Sequence, residues 1–535
     1  MLRSEQGAGA LDEPSGRSFR RVCSQAVARS FPLASYLCCL VLILSVASSD
    51  RFVHWFVVPI WLCGVLVAAD AVDWFRGRLN VFDPIGIVGL LGLHFFFFAP
   101  LVHVYSDYWM SSMSPPADWR DWLGGMAFLN FLGLLVYRFF RSGSRSWGWS
   151  IASKTVWLID HRRFLAVLPV ALILTGVLQF WVYHRMGGVL GYMSAYGQAE
   201  AFQGMGWIFM ISESFPIIAL IAFAIYARHR RVGYSWAVII SVLLAYLSFK
   251  LFFGGLRGSR SNTIWGVFWA VGIIHFWVRR VPKKAILVGI VCLVSFMYLY
   301  GFYKALGVEA LEAFKASDGV AVLAGETGRT LEVTILSDLA RSDVQAFLLY
   351  RLLSHPEDYQ FGLGRTYLGA AALLVPRFFW PGRPPTKVKE GTDVQYGAGS
   401  HIPGKLESSR VYGLAGEAML NFGPLAVPLA FAMLGLVVAR VRHILPTLRP
   451  EDARFLLYPL LINLCFVILV SDSDNVVFFI LKNGALPFLV VAASSRRITV
   501  SAPSRSTDAA IRLRPAVRSQ PRLPIASGYG EASDQ

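Results

Sequence analysis

Lys283-Lys284-Ala285-Ile286-Leu287-Val288-Gly289-Ile290-Val291-Cys292-Leu293-Val294-Ser295-Phe296-Met297-Tyr298-Leu299-Tyr300-Gly301-Phe302-Tyr303 is the stretch that decides the fold class. After its two lysines, residues 285–303 hold no charged side chain. A helix needs about 20 apolar residues to cross the hydrocarbon core of a bilayer. Working outward, the chain holds twelve segments of this kind: 31–48, 52–69, 85–104, 122–140, 164–183, 207–226, 234–253, 262–278, 285–303, 422–439, 455–470 and 475–493. The expected fold is therefore all-α, a polytopic integral membrane protein with about twelve transmembrane helices. The first segment follows a long basic leader and is followed at once by a second, so it reads as a retained helix and not as a cleaved signal.

Composition agrees. Of 535 residues, 55% are hydrophobic and only 16% charged, with mean hydropathy +0.53. A soluble domain carries about 25% charged residues. Disordered, fibrous and ordinary cytosolic chains are excluded. The net charge of +17 would suggest nucleic acid on a soluble domain; here it reads as loop arginine, and no nucleic-acid partner is expected. The six cysteines lie in the N-terminal tail or in apolar stretches, so neither a structural disulfide nor a zinc site is expected.

Arginine and lysine set the orientation. With the N-terminus in the cytoplasm, short inner loops carry 19 basic residues and short outer loops 6, namely Arg51, Arg120, Arg185, Lys250, Arg257 and Arg260. Both termini then fall inside. The expected organisation is a cytoplasmic tail (1–30), nine spans (31–303), a large outer loop (304–410), three spans (411–493) and a disordered cytoplasmic tail (494–535).

The outer loop is divided in charge. Residues 304–360 have five basic and nine acidic side chains, and residues 361–410 have seven and three. Leu331, Ile335, Leu339, Leu348 and Leu352 predict an amphipathic helix across 329–354. Tyr367 to Trp380 is apolar but short and holds Pro376, which predicts an interfacial or re-entrant piece.

Three constellations carry chemistry. Gly254-Gly255-Leu256-Arg257-Gly258-Ser259-Arg260-Ser261-Asn262 sets two arginines among glycines on the outer side, at the start of the eighth span. Glycine permits close backbone approach, arginine forks match phosphate, and a helix N-terminus favours an anion. Arg257 and Arg260 are candidate binders of a lipid-linked diphosphate, the alternative being a basic hairpin at the headgroups. Next, Phe361-Gly362-Leu363-Gly364-Arg365-Thr366-Tyr367 and Val375-Pro376-Arg377-Phe378-Phe379-Trp380-Pro381-Gly382-Arg383-Pro384-Pro385-Thr386-Lys387 alternate basic, aromatic and proline residues. This pattern suits sugar and anion binding by Arg365, Arg377, Trp380, Arg383 and Lys387, or an interfacial anchor. Third, Ser400-His401-Ile402-Pro403-Gly404-Lys405, Ser408-Ser409-Arg410 and Gly413 to Gly423 supply His401, Glu407 and Glu417 as proton-transfer candidates, with Arg410 beside them. Glu213 and Lys482 fall inside spans, where ionisable groups are costly and functional by default; the alternative is that they pair with each other. His94 and His275 read as packing residues.

Gly364-Arg365-Thr366-Tyr367, Pro376-Arg377-Phe378-Phe379-Trp380-Pro381 with Arg383-Pro384, Gly416-Glu417 before Asn421-Phe422-Gly423, and the Gly258-Ser259-Arg260 turn together resemble bacterial oligosaccharide repeat-unit polymerases (O-antigen polymerases, Wzy-type). The resemblance covers most of residues 31–493. It implies a metal-independent glycosyltransferase of the bacterial cytoplasmic membrane, without cofactor, acting on polyprenyl-diphosphate-linked oligosaccharides outside that membrane. It also implies a chain-length regulator and a flippase as partners. Arginines would stabilise the leaving diphosphate, and Glu417 or His401 would take the acceptor's proton. A ligase-type glycan transferase, or a transporter of the lipid-linked glycan, remains open as an alternative. A transporter predicts a charged central cavity built from many spans.

Overall fold

The computed structural model describes residues 16–499 apart from 111–112, 144–154, 196–201, 203–204, 231–233, 258–259, 308, 315–317, 377–378, 404 and 409; for 16–29, 143, 257 and 311 it describes the backbone alone. The protein is an all-α polytopic membrane protein. Among the described residues, nine long helices precede a long insertion: α1 (Gly16–Ser48), α2 (Val57–Phe75), α3 (Pro84–Tyr105), α4 (Trp119–Ser142), α5 (His161–Arg185), α6 (Gly206–His229), α7 (Trp236–Phe252), α8 (Arg260–Val278) and α9 (Lys283–Leu306). The insertion holds α10 (Ser342–Ser354), α11 (Arg365–Ala372), α12 (Lys387–Tyr396) and α13 (Gly413–Phe422). Then come α14 (Pro424–Thr447), α15 (Ala453–Val470) and α16 (Ser473–Ala493). Eleven of these helices are long and apolar enough to cross a membrane. The seventh expected span, α7, is an apolar helix of 17 residues.

Local chemistry sets the ends. Asp83 caps α3 by accepting from the Ile85 N–H, with Pro84 in the first turn. Asp160 caps α5 by accepting from the Arg162 and Arg163 N–H groups. Carboxylates at these positions satisfy orphan donors. Pro216 interrupts α6 at Glu213 and Ser214, because proline cannot continue the hydrogen-bond ladder. Gly423, at φ 80°, separates α13 from α14.

Helix α14 packs along α4, where small residues let the backbones approach. A Cβ on Gly435 would stand 2.8 Å from the Tyr137 carbonyl oxygen, and one on Gly133 2.6 Å from the Phe431 ring. One apolar core joins α2, α3, α4, α14 and α15 to the insertion through Val344, Phe347, Leu348, Tyr412 and Met419. A second gathers α5 to α8, α15 and α16. The insertion is thus rooted in the helix bundle. Its side of the bundle is the insertion face; on the opposite face, Asp70 of α2 lies between Arg138 and Arg141 of α4, at 3.0 and 2.6 Å.

Three expectations need correction. The amphipathic helix foreseen over 329–354 is broken: a π-helical turn at Thr334–Asp338 ends before α10 begins. The C-terminal tail does not begin unstructured at 494. Ser495–Thr499 forms a strand, β2, antiparallel to β1 (Thr155–Ile159). Helix α1 also reaches back to Gly16, into the expected tail.

Candidate functional site on the insertion face

Glu417 is the centre of the best-built polar group. It is buried on α13. Its Oε1 accepts from the Thr366 hydroxyl of α11 at 2.6 Å and from the Ser473 hydroxyl of α16 at 2.5 Å. Its Oε2 accepts from the Ser473 N–H at 2.5 Å. Asn421, one turn on, donates to Thr366 Oγ1 at 2.7 Å and fixes that hydroxyl. Burial, followed by the nearby Asp472 carboxylate, pushes the Glu417 carboxyl up to about 7, against the pull of the Ser473 and Thr366 donors. A carboxyl so placed can exchange a proton near neutrality.

Asp472 is itself fully buried and ion-paired to Lys387 of α12. It accepts from the Tyr412 and Gly413 N–H groups at 2.9 and 2.8 Å. The Lys387 ammonium also donates to the Arg410 carbonyl. This knot ties three parts of the insertion to the start of α16.

A second group surrounds Asp338, the last residue of the π-helical turn. Arg260, at the first turn of α8, donates to both Asp338 carboxylate oxygens. Arg329 donates to Asp338 Oδ2 at 2.5 Å. Burial opposes the Asp338 charge, but the Arg260 fork and Arg329 hold the carboxyl below its usual range. Arg341 folds back onto the Asp338 and Ala340 carbonyls. Burial pulls its pKa down, against the attraction of Asp472, Asp343 and Asp338. The two groups therefore share a neighbour: Asp472 acts on both Glu417 and Arg341.

The other expected site residues fall as follows. Arg365 is paired with Glu390 at 3.0 Å, with its side chain 53% exposed. Trp380 is exposed. Arg383 donates to the Val375 carbonyl at 3.2 Å. The Arg410 side chain has no hydrogen-bonded partner among the described residues. His401 lies 3.6 Å from Glu407, and its N–H donates to Asp393; no described contact joins it to Glu417. The Arg257 side chain and Arg377 lie outside the described residues. His275 is buried on α8, accepting from the Val281 N–H.

Deeper between the helices, Glu213 of α6 and Lys482 of α16 form an ion pair. Asn262 of α8 donates to Glu213 Oε2 at 2.6 Å. Lys250 of α7 lies 3.4 Å from the Glu213 carbonyl and 3.5 Å from Asn483 Oδ1. All five side chains are buried. Lys482 and Asn483 sit on a π-helical turn, Ile480–Ala485, a distortion frequent at functional sites.

Sequence reading missed Asp338, Arg329, Arg341, Asp472, Thr366 and Ser473. Asp472-Ser473-Asp474 is an Asp-x-Asp triplet, the one local signal available for this part of the site. Gly399 to Lys405 has the glycine–lysine spacing of a phosphate loop, but Leu406 follows where Ser or Thr is needed and helix α12 precedes it where a strand should. His54, Asp118 and Asp121 place ligand-type atoms within 4.8 Å of one another at the surface. Their oxygens already serve Arg120 and the Trp55 indole, so the trio carries no metal argument.

No protein-family model, no curated protein and no solved structure matches the chain.

Proposed function

We propose that this protein is a membrane glycosyltransferase that joins polyprenyl-diphosphate-linked oligosaccharide repeat units outside the bacterial cytoplasmic membrane. The insertion face is the outer face, and both termini are cytoplasmic. The observation that carries the reading is the Glu417 cradle: a buried carboxyl raised to about 7 beside an arginine cluster at the same ends of the helices. An acceptor hydroxyl attacks the anomeric carbon of the donor glycan. The carbon–oxygen bond to the diphosphate breaks, the polyprenyl diphosphate leaves with that electron pair, and Glu417 takes the hydroxyl proton. Arg260 and Arg329 oppose the charge that grows on the leaving group, an electrostatic role. The diphosphate competes with Asp338 for their forks. His401, engaged with Glu407, serves the surface of the insertion and not the proton transfer. Trp380 and Arg383 contact the glycan.

A second reading, transport of the lipid-linked glycan, is favoured by one observation: the buried charges of Glu213, Lys250 and Lys482, drawn from α6, α7 and α16. Purified protein supplied with lipid-linked repeat units alone separates the two. Longer lipid-linked products without nucleotide sugar are the expected result. Movement of intact units across vesicles, without elongation, refutes polymerisation.

A further inference from the structure

Helix α11 is amphipathic in the opposite sense to a helix lying under water. Its inward side is small or polar: Thr366, Gly369, Ala370 and Ala372 are buried. Thr366 holds Glu417, and Gly369 lies against the Pro385 carbonyl, where a Cβ would collide. Its outward side is Tyr367, Leu368 and Ala371, continued by Leu374, all exposed. Offsets of one, four and seven residues place them on one helical face. Phe361 and Leu363 before the helix, and Phe379 and Trp380 after it, are exposed as well. A contiguous apolar surface of this kind marks contact with a membrane or a protein.

The structure shows what adjoins it. The Tyr367 ring stacks on Phe422 with centroids 6.4 Å apart, and Phe422 also reaches within 3.7 Å of the Cβ position of Gly364. Phe361 abuts Gly423. The chain then enters α14, whose Leu425, Leu429 and Met433 form a stripe at four-residue spacing, 85%, 70% and 62% exposed. That stripe belongs to a helix long and apolar enough to cross a membrane. The surface of α11 is its direct continuation. Arg365 at one end and Trp380 beyond the other are the residue types found at headgroup depth.

We infer that α11 lies within the leaflet on the insertion face, with Tyr367, Leu368, Ala371 and Leu374 against lipid acyl chains, and that the Glu417 cradle stands at the lipid boundary. A helix satisfies its own backbone and tolerates this position, while Arg365 extends to the headgroups. Thr366, on the inward side of the same helix, donates to the Glu417 carboxyl. This placement goes beyond the glycosyl-transfer reading and is measured without substrate, so either can fail alone.

The experiment uses single cysteines at Leu368, Leu374, Leu429 and Tyr396 in protein whose native cysteines are replaced by Ala or Ser. Each is labelled with bimane and reconstituted in phosphatidylcholine vesicles. Chain-brominated phosphatidylcholine should cause the same fractional loss of emission at 368 and 374 as at 429, while iodide in the buffer quenches the Tyr396 probe and spares the other three. Iodide quenching at 368 and 374 equal to that at 396 overturns the inference. Shielding from both quenchers also overturns it, and points to a covering protein instead. The unsubstituted protein gives a second measurement. Phosphatidylcholine with a chain-borne diazirine should label the peptide spanning Tyr367 to Leu374 as well as that spanning Leu425 to Met433. Labelling of the latter alone refutes the placement.

Discussion

Glu417 is under two opposed influences, burial beside Asp472 favouring its proton and three donors favouring its charge. The first wins: the folded value, about 7, lies above the ordinary 4.5. The sign follows from linkage. The stabilisation is complete below pH 4.5 and is lost as pH rises through about 7, whereas a base must be ionised and works above it. Polymer formation by the native protein should therefore rise with pH with a midpoint near 7. Glu417→Gln should remove that limb and lower the rate by about 10²–10⁴-fold, the usual range for general-base loss. A Gln variant with the native pH profile assigns the proton to another group. Lys387 supplies a second residue-scale prediction. Lys387→Met leaves Asp472 buried without its cation, which costs about 3–5 kcal/mol and raises the Glu417 midpoint further. Thermal unfolding in detergent and the same pH profile read both effects; Lys387→Met combined with Asp472→Asn should recover part of each. Glu417, Lys387 and Arg260 stood out in the sequence because each is unusual for its place. Their partners did not, since Asp338 is 78 residues from Arg260 and Ser473 is 56 from Glu417, and one sequence shows no pairing across such gaps.

The break at 334–341 shows how an element gains a role by failing to stay regular. An uninterrupted helix would aim Asp338 along the apolar stripe that Leu331, Ile335 and Leu339 suggested. The π-helical turn instead delivers its carboxylate to Arg260 and Arg329. Asp338→Asn should release both forks: the unfolding temperature falls, while the KM for lipid-linked substrate also falls. An unchanged or raised KM would make the arginines structural only. Arg260→Ala should slow polymer formation by roughly 10²-fold or more at matched expression, with Arg260→Lys intermediate because the ammonium lacks the fork. The spans were legible because length and apolarity alone define them. The interior of the insertion was not, because α10 and α13 are buried among other helices and show a packed face on nearly every side, which periodicity does not resolve.

At the scale of the molecule, the alternation of apolar helices puts the insertion on one face and the Asp70–Arg138–Arg141 cluster on the other. A cysteine at exposed Tyr396 should react with an impermeant thiol reagent from outside the cytoplasmic membrane, and one at Arg442 should not; the reverse pattern inverts the orientation. Gly391 is unsuited to such a probe, since a Cβ there would meet the Tyr412 ring at 2.7 Å. The run of apolar helices and the place of the insertion were legible, eleven of the twelve expected spans being long and apolar enough to cross; Glu213 and Lys482 were legible as charges inside spans, with pairing one of two readings, because charge inside an apolar segment demands a partner. That pair bears on how the protein is made. The ribosome delivers Glu213 with α6, but Lys482 arrives only with α16, about 270 residues later. At about 5–20 residues per second this is a wait of roughly 15–50 s. Until then the nascent chain holds an acidic group in the bilayer with Lys250 and Asn262 as company, at an insertion cost of about 2.5–3.5 kcal/mol for such a charge. A chain stopped after Val470 should therefore be cleared by membrane proteases faster than the full one in a pulse-chase, and Glu213→Gln should lengthen the life of the stopped chain. If the two stopped chains decay alike, Glu213 is not what marks it as unfinished. Helix α16 thus closes a debt of charge, its lysine cancelling an acid that the membrane has carried since α6.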